Sequence, residues 1–515
     1  MNIKITGMTA GLGLMMAMAA ANAGSITDNY VPLVANNNIT RTTSTYPNPG
    51  TPFVTAVGVE QTILFQAASP AGALVPVGGN GTNGVSFDQL AFDPTNRYLF
   101  TVTETNGNSA AVRFDKQTGT TVVISQPAAG QRFDMARFTP WGTFVMAEEA
   151  TKGRLFEVVN PLGDPNDPVV ANRPTTYVRP AVSKMAHEGF ARDAAGNIYV
   201  ADENLPGALL KFVPTNPNAT GFDAAHPENS PLAAGQLFAL AIASPTTVAT
   251  GTSPSTAAIG GTGTWVALNN PDGTPLTGIT DPTIDSRQAV ADLNATGAKI
   301  AGFFRPEDID IEFAPNGKTF LYTGATGAAT PDLTGNVLSI ELTDPSSPVV
   351  RVFAGQNTID AATGLALGRG FVQPDNVAVS PFGRGVCFVE DIGNSSNPTN
   401  GNAAAFPNNG NNPVDDVFCA VDANHDGVAE SVSRLAILAT NFAEPTGLIF
   451  DPVNPNRLYV NVQHAAAGSV NSFGNFVVNN AVQGNDLIVQ FDVPEPATIG
   501  ILGLGLAGLI ARRRR

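Results

Sequence analysis

"KMAHEGFARDAAGNIYVADEN", residues 184–204, carries two short apolar runs between polar ends. Phe190 and Ala191 precede the turn-forming residues Asp193, Gly196 and Asn197, and Ile198, Tyr199 and Val200 follow them. Asp, Gly and Asn between β-prone runs read as a hairpin. In an antiparallel hairpin the start of the first strand lies beside the end of the second. His187 and Glu188 therefore fall together with Asp202, Glu203 and Asn204 at the open end, away from the turn. The chain holds six copies of this pattern, starting at Phe87, Phe133, His187, Arg305, Gln373 and Glu444.

Each copy is followed by further strand-like sequence, as in "GRLFEVV" (153–159), "GALLKFV" (207–213), "GNVLSIEL" (335–342) and "NDLIVQFDV" (485–493). Three to four strands per repeat, six times over, predict an all-β chain folded as a six-bladed β-propeller. A parallel β-helix needs shorter repeats, and a sandwich does not repeat so regularly. The copies start 46 to 71 residues apart, except for a gap of 118 between the third and fourth. Residues from about 214 to 300 accordingly read as an insertion, rich in Ala, Thr, Gly and Pro and without a copy of the hairpin. Upstream, "FVTAVGV" and "TILFQAA" read as strands that pack at or close the ring.

The rest of the composition agrees. Of 515 residues, 43% are hydrophobic and 14% charged, which suits a globular chain with a large core. The 52 Gly and 39 Pro supply its many turns. A net charge of −16 leaves no basic stripe to neutralise phosphates, so no nucleic-acid partner is expected. Residues 1–23 have Lys4, an apolar stretch and Ala21-Asn22-Ala23, the pattern of a signal peptide cleaved before Gly24. Cys387 and Cys419 are the chain's two cysteines; in an exported protein they form either one disulfide or two buried thiols.

The C-terminus, residues 493–515, joins Pro494-Glu495-Pro496 to an apolar run over 497–511 and four arginines. As a helix that run spans only about 22 Å, short of a bilayer core of roughly 30 Å. The arginines would hold its end at the cytoplasmic face. Tag, run and arginines in this order resemble the PEP-CTERM sorting signal. The resemblance implies export by a Gram-negative bacterium to the periplasm, cell surface or extracellular matrix. It also implies a membrane hold through the C-terminal helix until exosortase machinery processes the tail.

In a propeller the inner strands run in one direction, so all six open ends meet at one end of the channel. That brings together Asp88 and Glu104; Asp134, Glu148 and Glu149; Glu188, Asp202 and Glu203; Arg305, Glu307 and Asp308; Asp375, Asn376, Glu390 and Asp391; and Glu444, Thr446, Gln463 and His464. A single carboxylate at a strand end is ordinary. So many around one axis repel one another unless cations neutralise them, which points to a multinuclear metal site.

Four segments, "TPWGTFVMAEE", "HEGFARDAAGNIYVADEN", "FRPEDIDIEF" and "EPTGLIFDPVNPNRLYVNVQH", resemble the PhoX family of bacterial alkaline phosphatases, in family order and across most of residues 24–492. The resemblance implies a propeller whose axial site holds calcium and iron ions and hydrolyses phosphate esters. It implies Glu148, Glu149, Glu188, Glu307 and Glu444 as metal ligands, and Arg305 as the catalytic group that forks onto the substrate phosphate. The chain departs from the family at Ala147, where a cysteine ligates iron; alanine offers no donor, so calcium is the expected cation and iron is in doubt. An inactive, calcium-bound propeller of the cell surface or matrix is the alternative, and a calcium-dependent lactonase is a third reading. "DANHDG" places Asp422, Asn424 and Asp426 at the early spacing of a calcium loop, but Ser433 stands where such a loop ends in Glu. It reads equally as a hairpin turn.

Overall fold

The turn of the 184–204 hairpin is held by its own side chains. Asn197 N donates to Asp193 Oδ1 at 2.8 Å, Tyr199 Oη donates to Asp193 Oδ2 at 2.9 Å, and Gly196 supplies the left-handed residue at φ +92°. The device recurs in the sixth copy, where Asp451 accepts from Val453 N, Asn454 N and Tyr459 Oη. A carboxylate at the turn thus ties the second strand of the hairpin to the first. The computed structural model describes residues 25–34, 52–66, 86–249, 256–327, 335–391, 415–438, 443–463, 466–470, 476–483 and 486–493. Residues 1–23, read from the sequence as a signal peptide, the tag residues Pro494, Glu495 and Pro496 with the run after them, and His464 lie outside the described residues.

Each hairpin begins a run of four hydrogen-bonded antiparallel strands; the second to fourth runs are continuous in one larger sheet, and the fifth carries two further strands. The six first strands are Phe87–Phe92, Phe133–Phe138, Met185–Arg192, Pro306–Phe313, Pro374–Val379 and Glu444–Phe450. Their hairpin partners are Tyr98–Thr103, Phe144–Gly153, Ile198–Asp202, Thr319–Ala325, Val386–Glu390 and Arg457–Gln463. The strand-like stretches noted above become the third strands Leu155–Val159, Leu209–Pro214, Asn336–Glu341 and Leu487–Asp492. The first strands pack in order, and the sixth returns to the first.

Alternate residues of each sheet face opposite neighbours, so both faces are buried. Leu90 and Leu99 pack with Tyr459 and Ile488 of the sixth sheet, whereas Ala91 and Phe100 pack with Phe133 and Phe144 of the second. Among the described residues, six such cores lie between consecutive sheets and close the ring. Each fully buried Phe stabilises the ring by about 1.5–3 kcal/mol. The chain is therefore an all-β propeller among the described residues.

The N-terminal region closes it: Glu60–Gln66 pairs with Leu487–Asp492 as the outermost strand of the sixth sheet. Phe53–Thr55 adds an edge to the fifth sheet by pairing with Ser431–Leu438. Cys387 and Cys419 stand opposite each other on adjacent strands of that sheet and are joined as a disulfide, which resolves the alternative left open by the sequence.

The segment read as an insertion over 214–300 is more regular than its composition suggests. Gly235–Ile242 lies within it and is the fourth strand of the third sheet, paired with Leu209–Pro214. Thr256–Ala267 then pairs with Gly235–Ile242 and with Val349–Ala354, which links the third sheet to the fourth. A helix, Ser286–Ala295, follows, its N-terminus capped by Asp285.

Candidate metal centre

The open ends of the six hairpins share a backbone irregularity. In every first strand the register with its partner shifts just where the polar residues sit. The shifts fall between Phe87 and Leu90, Phe133 and Met135, Glu188 and Ala191, Pro306 and Ile309, Pro374 and Val377, and Thr446 and Ile449. A bulge re-aims side chains out of the pleat. Two of these bulges require glycine. Gly189 has φ +56° and its missing Cβ would meet Ile309 N at 2.2 Å; Gly447 has φ +60° and its Cβ would meet Asp88 O at 2.6 Å.

Among the described residues the result is two groups of three carboxylates. Oxygens of Glu104, Asp134 and Glu149 lie within 4.8 Å of one another, and so do those of Glu188, Glu203 and Glu307. Each group carries one arginine just before a first strand, in left-handed conformation, with φ +44° at Arg132 and +50° at Arg305. Arg132 Nε donates to Glu104 at 2.8 Å, and its Nη2 also binds Glu149. Arg305 Nε donates to Glu203 at 2.8 Å, and its Nη2 lies 3.2 Å from Glu307. Neutral groups complete the surround: Thr446 Oγ1 donates to Asp88 at 2.7 Å, Gln463 Nε2 to Glu104 at 2.9 Å, and Thr326 Oγ1 to Glu307 at 2.6 Å.

Without cations these acids cannot all ionise. Burial, with the charge of Glu104, pushes Asp134 up to about 7. Burial and the Asp134 charge raise Asp88 well above the carboxylate range, and burial with Asp134, Glu307 and Glu203 does the same for Glu188. Glu307 is raised by burial and Glu203, Asp375 by burial and Glu307, and Glu444 by burial and Asp391. Burial lowers the affinity of Arg305 for its proton, but Glu307, Glu203 and Asp391 outweigh it and leave the guanidinium firmly charged. Glu188, 1% exposed, has an Oε1 that accepts no hydrogen bond. A buried, orphaned carboxylate oxygen inside an acidic group is what a cation would satisfy.

Of the residues read from the sequence as ligands, Glu149, Glu188 and Glu307 enter the two groups. Glu444 lies beside them, within electrostatic reach of Asp391, Asp375 and Glu104. Glu148 stands apart, because Arg154 Nη2 binds it at 2.6 Å and Arg154 N and Gln131 N donate to it at 2.8 and 3.1 Å. Ala147 is fully buried in an apolar core with Met135, Val145 and Met185. Asp422 and Asp426 belong to a turn between Asp416–Val421 and Ser431–Leu438, at the far end of the fifth sheet. There Asp422 accepts from Gly427 N at 2.8 Å and Asp426 N at 3.1 Å, so its oxygens close the turn, with Asn424 inside it. Arg132 was not singled out from the sequence; its position just before a first strand, matching that of Arg305, was the available signal.

A family model described as alkaline phosphatase PhoX matches residues 136–466, and the PEP-CTERM protein-sorting motif matches residues 492–515. No curated protein matches the chain. Among solved structures, Pseudomonas fluorescens PhoX in complex with vanadate, a transition state analogue, aligns with a TM-score of 0.58 at 16% identity, covering 87% of this chain and 97% of that one. A gluconolactonase from Xanthomonas campestris aligns with a TM-score of 0.39 at 12% identity, covering 88% and 98%. The likeness to the first is one of fold.

Proposed function

Because the chain belongs to the alkaline phosphatase PhoX family, we propose that it is an exported, metal-dependent hydrolase of phosphate esters that works at the acidic end of the ring. The observation that carries this reading is the pair of three-carboxylate groups, each with its own arginine. The PEP-CTERM motif marks the chain as exported, with exosortase as its processing partner. Periplasm, cell surface or matrix is the proposed destination.

Bound cations would neutralise phosphoryl oxygens and make an oxygen nucleophile available near neutral pH. Glu188, Glu203 and Glu307 would hold them on one side, and Glu104, Asp134 and Glu149 on the other. With these carboxylates so engaged, Arg305 is released to fork onto two phosphate oxygens; its side chain is 31% exposed and can reach a substrate. Thr326 holds Glu307 in place through its hydroxyl. Both groups offer only oxygen donors, which suits calcium. Thiolate-bound iron does not fit: position 147 offers no donor, and both cysteines are consumed by the disulfide.

Ala147 also favours a second reading, a calcium-bound propeller of the cell surface or matrix without turnover. Hydrolysis of phosphomonoesters and diesters decides between them, measured with calcium, with calcium plus iron, and after chelation. Chelator-sensitive turnover abolished by Glu307→Gln supports the hydrolase. Bound calcium with no turnover under any metal leaves the second reading.

A further inference from the structure

The helix Ser286–Ala295 belongs to the chain between the third and fourth sheets, yet its first turn reaches the acidic end of the ring. Arg287 Nε lies 2.9 and 2.8 Å from the two Asp202 oxygens, and its Nη2 lies 2.7 Å from Asp202 Oδ1. The same guanidinium donates to the carbonyl of Glu203 at 2.9 Å. Asp202, 3% exposed, also accepts from Ala186 N at 3.2 Å. Glu203 N donates to Ala186 O at 3.0 Å, and Arg305 N to Asn204 O at 3.1 Å. The corner 202–204 therefore joins the Glu188 strand on one side and the Arg305 strand on the other, and Arg287 pins it from outside.

The same helix is anchored at a second point. Lys152 Nζ lies 2.9 Å from its capping residue Asp285, and Ser286 Oγ donates to Lys184 O at 2.9 Å. Lys152 is on the strand that carries Glu149, and Lys184 directly precedes the strand that carries Glu188. Between helix and corner lies a cavity of about 440 Å³, lined by Asp202, Asn204, Leu210, Arg287 and Val290. Close packing is thus missing where it would otherwise steady the corner, and the guanidinium makes the connection.

We infer that Arg287 is a positioning residue: through Asp202 and the Glu203 carbonyl it fixes where the Glu203 carboxylate stands toward Glu188, Glu307 and Arg305. This rests on the cation-binding reading above. Loss of a group that orients a ligand typically weakens a metal site 10- to 100-fold.

The test is calorimetric titration of the chelated full chain with calcium, alongside thermal melting, for wild type, Arg287→Met and the double variant Arg287→Met with Asp202→Asn. The single variant strands a buried carboxylate and is expected to melt lower; the double variant removes both charges and is expected to recover its melting temperature. Calcium affinity is expected to stay at least tenfold weaker in the double variant despite that recovery. A double variant that binds calcium as wild type does would overturn the inference, leaving Arg287 a structural ion pair. If wild type itself takes up no calcium, the cation-binding reading fails first and carries this inference with it.

Discussion

If the acidic end of the ring needs cations, removing them should make stability depend on pH in a direction opposite to ordinary acid denaturation. Asp134 is pushed up to about 7 from 3.8. A carboxyl whose folded value is raised contributes stability that is complete below its unfolded value and is lost as pH rises through the folded one. The full penalty for Asp134 is about 4 kcal/mol, at roughly 1.4 kcal/mol per unit. Between about pH 5.5 and pH 8 the part lost is about 2 kcal/mol. Asp88, Glu188, Glu307, Asp375, Glu390 and Glu444 are raised in the same direction.

A chain of this size unfolds with an entropy of roughly 1 kcal/mol/K, so Asp134 alone is worth about 2 °C, and the other raised carboxyls add in the same direction. His187, which burial lowers to about 4, has the opposite sign: its stability falls as pH drops from its unfolded value. That contribution is present with or without a cation and cancels in their difference. The assay is scanning calorimetry at about pH 5.5, 7 and 8, with excess calcium and with chelator. The calcium-induced rise in melting temperature should grow with pH. A rise that is the same at every pH, or absent throughout, refutes the reasoning.

Four further outcomes are expected. Arg305→Lys keeps the charge but loses the fork, and kcat/KM should fall about 10- to 100-fold, consistent with about 1.5–3 kcal/mol for a charged hydrogen bond. Glu157, fully buried, accepts from Arg179 at 2.7 Å, Trp141 at 2.7 Å, Thr143 at 2.8 Å and Ser230 at 2.8 Å. Glu157→Leu leaves Arg179 without its buried partner and should cost about 3–5 kcal/mol in thermal or denaturant unfolding, with calcium affinity unchanged. Replacing both Cys387 and Cys419 by Ala opens a crosslink of sequence separation 32 and should cost about 3–4 kcal/mol by denaturant titration. Because the two sulfurs are bonded to each other, thiol reagents should detect no free sulfhydryl even in denaturant, and because both cysteines are 0% exposed, reductant alone should leave the native disulfide intact.

The hairpin repeat was legible because turn chemistry and alternating burial are local properties of a few residues. Residues 235–242 were missed for the complementary reason: a fourth strand has no tight turn beside it and no polar open end, so nothing local distinguished it from its Ala-, Thr- and Gly-rich surroundings. Glu148 and Glu149 are neighbours of the same type, and the sequence could not separate them. Adjacent strand residues point to opposite faces, so Glu149 joins Glu104 and Asp134 while Glu148 meets Arg154.

By itself, then, the sequence determined an all-β chain of repeated hairpins with carboxylates at their open ends, an export tail, and the absence of a thiolate at Ala147. Tertiary structure alone decided which carboxylates meet, because that depends on six bulges and on sheets distant in sequence. It also decided that Cys387 faces Cys419, that Arg132 mirrors Arg305, and that Arg287 crosses 85 residues of sequence to reach Asp202. Each of these pairings depends on the ring having closed, and no window of local sequence contains that closure.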